Sequence, residues 1–431
     1  MADSRKISQF CIDAILEAGH QQAECSLSFT RKTEFTVEDG SISLMRTTDD
    51  TGLSLTGIKD QRKGSSSINK TDERSMLDSV AELTGLVDAN EPDPANEIAE
   101  NQPQNSFTRG PEKPDVDLMY TRIKSFLKHS KEKYPTLILE QVILDHTARR
   151  RSYVNSNGVD FQSVRGGYNF MAMFSSKVGT SISSFNYVAV STADLSEELC
   201  TLGGLDRLMS QSTEQTVTGN LQGSFEGDVI ITPECLGDFI SMIASYFYDY
   251  PLITGTSIYK DSLDEIIADE RLFIHSRPVS DELAGGYFFT GDGFKSANST
   301  IIENGVLKTF LLGLYGSRKT GLDKAVNSGG FYVIDPGETS FDEMVKSVDK
   351  GILLCRFSGG SPSSSGDFSG VAKNSYLIEN GEIKNPVSET MIAGNMKDML
   401  KRIKHISSET VNSGNSIMPW ITFSGITISG K

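Results

Sequence analysis

Apolar residues recur at helical spacing at the start of the chain: Ile7, Phe10, Cys11, Ala14, Ile15 and Ala18 share one face, and Gly19 follows as a stop. The pattern predicts a helix over 4–18. Partial alternation over 25–37, an Asp39-Gly40 hairpin signal and a return over 41–46 predict two strands, with a third over 51–58. Thr71 is a candidate N-cap for a helix whose buried stripe is Met76, Leu77, Val80, Ala81 and Leu83. Residues 87–113 are acidic, rich in Pro and Asn and poor in large apolar side chains, the composition of a linker or long loop. A helix from Asp115 carries Leu118, Ile123, Phe126 and Leu127. Strands resume at Thr136, with Asn157-Gly158 at a hairpin tip, and a helix over 194–209 closes the section.

The remainder opens on a short apolar strand, GDVIITP, followed by an apolar helix, CLGDFISMIASYF. It is otherwise strand-rich, with Ile-Glu-Asn-Gly hairpin tips at 302–305 and 378–381, a basic helix over 396–405 and a last strand over 421–428. The expected class is α+β. N-terminal (1–88) and middle (114–215) sections with antiparallel sheets flank an acidic linker or loop (89–113), and a large strand-rich domain spans 216–431.

Length and charge narrow the function. A chain of 431 residues, 37% of them hydrophobic, exceeds one ordinary domain and can build proper cores. A net charge of −16 repels phosphate backbones, so no nucleic-acid partner is expected. The basic runs 124–133, 149–151 and 397–404 read as solvated helix faces and a strand end. Five widely spaced cysteines, an odd number with no C-x-x-C pair, point to reduced thiols and a cytoplasmic setting. The opening residues carry no apolar signal core, and no apolar run reaches membrane-spanning length, so no membrane association is expected.

Familiar catalytic patterns are missing. His20, His129, His146, His275 and His405 stand apart, so no local zinc motif is written in the chain. There is no Gly-x-Ser-x-Gly elbow. The loop GGSPSSSGDFSG, residues 359–370, lacks the Gly-Lys-Ser/Thr ending of a phosphate-binding P-loop. Its glycines and serines suit either a plain flexible loop or a backbone-lined binding edge. Asp292, Glu303 and Asp367 sit in turn contexts, where Asp beside Gly supports a tight bend.

Several segments together resemble the TldD/PmbA family, once called modulators of DNA gyrase. They are GDVIITPECLGDFI, LITGTSIYKDSLDEIIADERLFIHSRP, GFKSANSTIIENGVLKTFLLGLYGSRKTG, SSSGDFSGVAKNSYLIENGEIKNPVSETMIAGNMKDMLKRI and ITFSGITISGK, with EFTVEDGSISLMRTTDDTGLSL and YVNSNGVDF earlier. The resemblance covers nearly the whole chain. Metal-bearing members carry His-Glu-x-x-x-His on the helix after the GDVIITP-like strand, and a cysteine near the C-terminus. Here Ser241, Met242 and Tyr246 stand at those helix positions, and no cysteine follows Cys355.

The resemblance therefore implies the PmbA/TldE-like branch. Such a chain has no catalytic or metal-binding residue of its own and no cofactor, and is inactive alone. It would pair with a TldD-like subunit that holds the zinc and acts on unfolded or extended peptides; alone it would form a homodimer. Gly359, Gly360, Ser364, Gly366, Asp367 and Phe368 are the candidate peptide contacts. The competing expectations are a stand-alone hydrolase with an unrecognised site and a homodimeric peptide-binding module without protease activity.

Overall fold

The computed structural model describes residues 2–430, and the architecture is α+β. Among these residues the strands form two sheets, one eight-stranded and one fourteen-stranded. The smaller sheet is built from very long strands. Gln22–Glu38 lies between Ser41–Lys59 on one side and Leu137–Asn155 on the other, antiparallel to both. The sections expected as separate domains, 1–88 and 114–215, thus share a ladder running from Glu24↔Asn155 to Val37↔Val142.

The expected break after residue 46 is absent. Ser41–Lys59 continues through polar residues because the facing strand answers them: Arg31 forks onto the Asp49 carboxylate at 2.9 Å, and the Thr33 and Thr47 hydroxyls meet at 3.0 Å. Such cross-strand pairs hold a ladder together on a solvated face. The third strand is Arg62–Ile68. The helix Glu73–Ala89 is capped by Asp72, one residue later than expected, and turns Met76, Val80, Leu83 and Val87 inward. The helix expected from Asp115 is Val116–Lys133, and Asp115 caps it, accepting from the Leu118 amide at 2.9 Å.

Residues 89–113 form an ordered strap. Ala95, Ile98 and Ala99 are buried, and Asn105–Arg109 adds a parallel strand beside Asp160–Val178. Two of the acidic side chains that suggested a solvated tether are ion-paired across the fold: Asp93 with Lys319 at 2.9 Å and Glu97 with Arg318 at 2.7 Å. Composition shows the charges, but only the fold supplies their partners.

Two helix expectations shift for backbone reasons. Over 194–209, Gly203 and Gly204 adopt positive φ (55° and 73°), which breaks the stretch into a short 3-10 turn and the helix Leu205–Glu214. The basic helix ends at Lys401, not near 405. Ile403–Asn412 is a strand beside Ile417–Ser429, with Ile403 and Ile406 in the core. The three hairpin tips Asp39-Gly40, Asn304-Gly305 and Asn380-Gly381 all take positive φ at both positions, the conformation those residue pairs favour.

The larger sheet holds the C-terminal core. Ser224–Ile231 sits between Lys350–Leu354, parallel, and Ile417–Ser429, antiparallel. An aromatic cluster joins the smaller sheet to the 288–294 segment: Tyr153, Phe161 and Phe289 are buried together, and Phe107 stacks on Phe288 with centroids 4.9 Å apart.

Candidate functional site

The helix Pro233–Ala244 begins with Pro233 in its first turn, where a missing N–H costs nothing. Cys235, Leu236, Phe239, Ile240 and Ile243 form its buried stripe, leaving Gly237 and Ser241 outward. A 3-10 turn, Ser245–Phe247, continues it and swings Tyr246 and Phe247 into the core. Ser241, Met242 and Tyr246 therefore diverge. The Ser241 hydroxyl donates back to its own helix, to the Gly237 carbonyl at 2.8 Å. Met242 is half-buried against the C-terminal core. Tyr246 is 6% exposed, and its hydroxyl donates to the Ser363 carbonyl at 2.7 Å.

That last bond joins the two segments singled out in the sequence. The loop leaves the strand Arg356–Gly359 and returns as Asp367–Lys373. Gly359 and Gly370 face each other across this ladder, where the Phe357 ring leaves no room for a β-carbon: at either residue it would lie 2.4 Å from the ring. Ser363 and Gly366 close a turn, the Gly366 amide donating to the Ser363 carbonyl at 2.9 Å. Asp367 accepts from Asn395 at 2.9 Å and from the Ser365 hydroxyl at 2.6 Å, bonds that hold its carboxyl below the usual range. Asn395 also holds the Ser365 carbonyl at 3.0 Å and caps the helix Met396–Lys401.

The six candidate contact residues divide. Gly359, Gly360 and Ser364 are exposed. Asp367 is exposed but tied down. Gly366 is buried, and Phe368 is 4% exposed, packed edge-on to Phe239 with centroids 5.5 Å apart. Tyr259 and Asn395 escaped the sequence reading. Tyr259 stands edge-on to Tyr246 at 6.1 Å, fully buried, with no hydrogen-bond partner for its hydroxyl among the described residues. Neither lies near the helix in sequence, so no local signal marks them.

The description PmbA/TldA metallopeptidase C-terminal domain fits residues 224–430, and PmbA/TldA metallopeptidase domain 1 fits residues 23–89; together they cover more than half of the chain. The chain belongs to the PmbA/TldD metallopeptidase family. Metalloprotease PmbA of Escherichia coli O157:H7 is 25% identical across 98% of this chain and 97% of its own length. A metalloprotease of Methanothermobacter thermautotrophicus is 30% identical over 195 residues, a match spanning 42% of this chain and 43% of that protein. In fold, TldE of Thermococcus kodakarensis superposes with a TM-score of 0.84 over 99% of this chain and 100% of its own, at 20% identity.

For a PmbA/TldD metallopeptidase, the donor set on this helix does not fit zinc. Tyr246 keeps its proton, because burial and the nearby Asp367 charge push its phenol upward. Ser241 and Met242 offer a hydroxyl and a thioether, both weak ligands for this ion. Burial pushes the Cys355 thiol up to about 12 and the Cys235 thiol upward as well, so neither supplies a thiolate at neutral pH. Among the described residues, no three His, Cys, Asp or Glu side chains gather as a metal site. No helix among them is long and apolar enough to cross a membrane.

Proposed function

We propose that this chain is the zinc-less, non-catalytic subunit of a two-subunit PmbA/TldD-type peptidase acting on extended peptides in the cytoplasm. One observation carries the reading. The helix positions that would grip a catalytic ion are occupied by side chains bonded within the chain, Ser241 to its own helix and Tyr246 to the Ser363 carbonyl. The protein's role is then to bind and enclose substrate, while a metal-bearing relative supplies the activated water. The strand Arg356–Gly359 supports this reading. Among the described residues its only strand partner is Asp367–Lys373; the Cys235 thiol takes up the Phe357 backbone, so the exposed Ser358 and Gly359 are the stretch that an extended peptide would join by strand addition. The exposed Gly360–Ser364 stretch follows that edge.

The test is reconstitution. The pure chain, a TldD-like relative and their mixture are compared for complex mass, zinc content and cleavage of an unfolded peptide. Zinc is expected to track the relative, with cleavage greatest in the mixture. Stoichiometric zinc and cleavage in the pure chain would sink the proposal.

A further inference from the structure

The run Arg149-Arg150-Arg151 lies within the strand Leu137–Asn155 rather than at its end, with Arg149 and Arg150 exposed. Alternation sends Arg150 to one face, where it meets Glu112 at 2.8 Å, and Arg149 and Arg151 to the other. On that second face the ladders place Arg109 beside Arg165, and Arg165 beside Arg149. Like charges directly opposed across strands destabilise a sheet, so the row needs compensation. Arg109 finds it in the Ser280 and Val279 carbonyls, at 2.9 and 2.7 Å, and in the Asp281 carboxylate at 3.0 Å. Arg165 has only the Ala284 carbonyl at 2.7 Å, and Arg151 only the Phe289 ring face at 4.6 Å and a long contact to the Ser26 hydroxyl.

The Arg149 side chain has no hydrogen bond, ion pair or ring contact among the described residues, and no carboxylate among them pairs with Arg151 or Arg165. The acids on this face are engaged elsewhere. Asp145 binds Thr147, Asn169 and Lys32, and Glu24 accepts from the Tyr153 hydroxyl. Burial and the Arg109 charge push the Arg165 guanidinium down to about 10. In a chain of net charge −16, three guanidiniums without an acid converge on one place.

That place is a pocket of about 300 Å³ between the smaller sheet and the 284–289 segment. Its walls are aromatic, with Tyr287, Phe288, Phe289 and Phe331, and Arg149, Asn169 and Asn415 stand exposed at its rim. Two glycines let the wall close in. A β-carbon at Gly285 would lie 2.0 Å from Asn415 Oδ1, and one at Gly286, where φ is +137°, would lie 2.0 Å from the Pro278 carbonyl oxygen.

We propose that this pocket binds a carboxylate carried on an aromatic or large apolar body, the guanidiniums taking the anion and the rings the body. Arg–carboxylate bonds are strong because both partners are charged, and stronger still away from water. A bare inorganic anion would leave the aromatic walls unused. Two sources share this chemistry: the free C-terminus of a peptide and a small aromatic acid. The inference stands apart from the zinc-less subunit reading, since it needs neither a second subunit nor peptide cleavage.

Calorimetry on the full chain tests it, with N-acetyl-phenylalanine, its C-terminal amide, a tetrapeptide ending in free phenylalanine, and inorganic phosphate. Both acids are expected to bind, and the amide about tenfold or more weakly. Arg149→Ala is expected to cost the acids about fivefold or more without lowering the melting temperature of the unliganded protein, with partial recovery in Arg149→Lys. A tetrapeptide that binds tighter than the single residue assigns the pocket to chain ends; equal binding assigns it to small acids. Amide binding equal to acid binding, phosphate binding equal to acid binding, or no heat from either acid at about 10 mM overturns the proposal.

Discussion

Replacing Tyr246 with phenylalanine removes one oxygen and asks whether the helix holds the 360–366 loop. The lost bond is the 2.7 Å donation to the Ser363 carbonyl. That carbonyl keeps its second donor, the Gly366 amide at 2.9 Å, so no buried acceptor is orphaned. The cost is therefore the net worth of one neutral hydrogen bond, about 0.5–1.5 kcal/mol. If the bond acts on local opening, amide exchange in the loop should speed up about two- to twelvefold. The reporting amides are Ser363, which donates to the Asp367 carbonyl, and Gly366 and Met396, which close the turn and the following helix start.

Hydrogen exchange read by mass spectrometry on peptides covering 360–368 and 394–400 measures this directly, with the Pro233–Ala244 helix as internal control. A pH arm checks the cause. Because the Tyr246 phenol is raised above its ordinary 10.0, its contribution is complete below pH 10 and fades as pH rises through the higher folded value. Alkaline loosening of the loop should appear in the native protein and vanish in Tyr246→Phe. Unchanged exchange at all three amides would show that Asn395 and the ladder hold the loop alone.

Three further outcomes are expected. Tyr259→Phe removes a buried hydroxyl that has no partner, so stability should hold or rise by up to about 1–3 kcal/mol, read by urea unfolding; a clear loss would mean a partner exists. Gly293→Ala would drive a methyl to 2.3 Å from the buried Tyr153 ring at φ +84°, and should cost about 2–4 kcal/mol; a melting temperature equal to that of the parent would refute the close approach of the Gly293 turn to the smaller sheet. The Asp93 carboxyl is held down to about 2, from an ordinary 3.8, by the Ala95 amide, Lys319 and Tyr315. Its contribution is complete above pH 3.8 and lost as pH falls through about 2, so Asp93→Asn should flatten that part of the acid-denaturation profile.

Legibility followed the range of the physics. The helix start near Asp115, the glycine-ended hairpin tips and the apolar stripe of Pro233–Ala244 were readable because each depends on a few neighbouring residues. The break placed after residue 46 failed because polar residues in an exposed ladder take their support from a partner strand, as Asp49 does from Arg31. The acidic strap misled for the same reason, its carboxylates being answered by Arg318 and Lys319 more than two hundred positions away.

The chain's residue types put a serine, a methionine and a tyrosine at 241, 242 and 246, a hydroxyl, a thioether and a phenol that are weak ligands for zinc. They also carried enough likeness to name the family. Tertiary structure decided everything that depends on distance. It brought Tyr246 to Ser363, turned Phe368 inward onto Phe239, and lined up Arg109, Arg165 and Arg149 across three strands. Charge alternation along one strand tells which side an arginine takes; only the pairing of strands tells whether another arginine waits beside it, and whether an acid does.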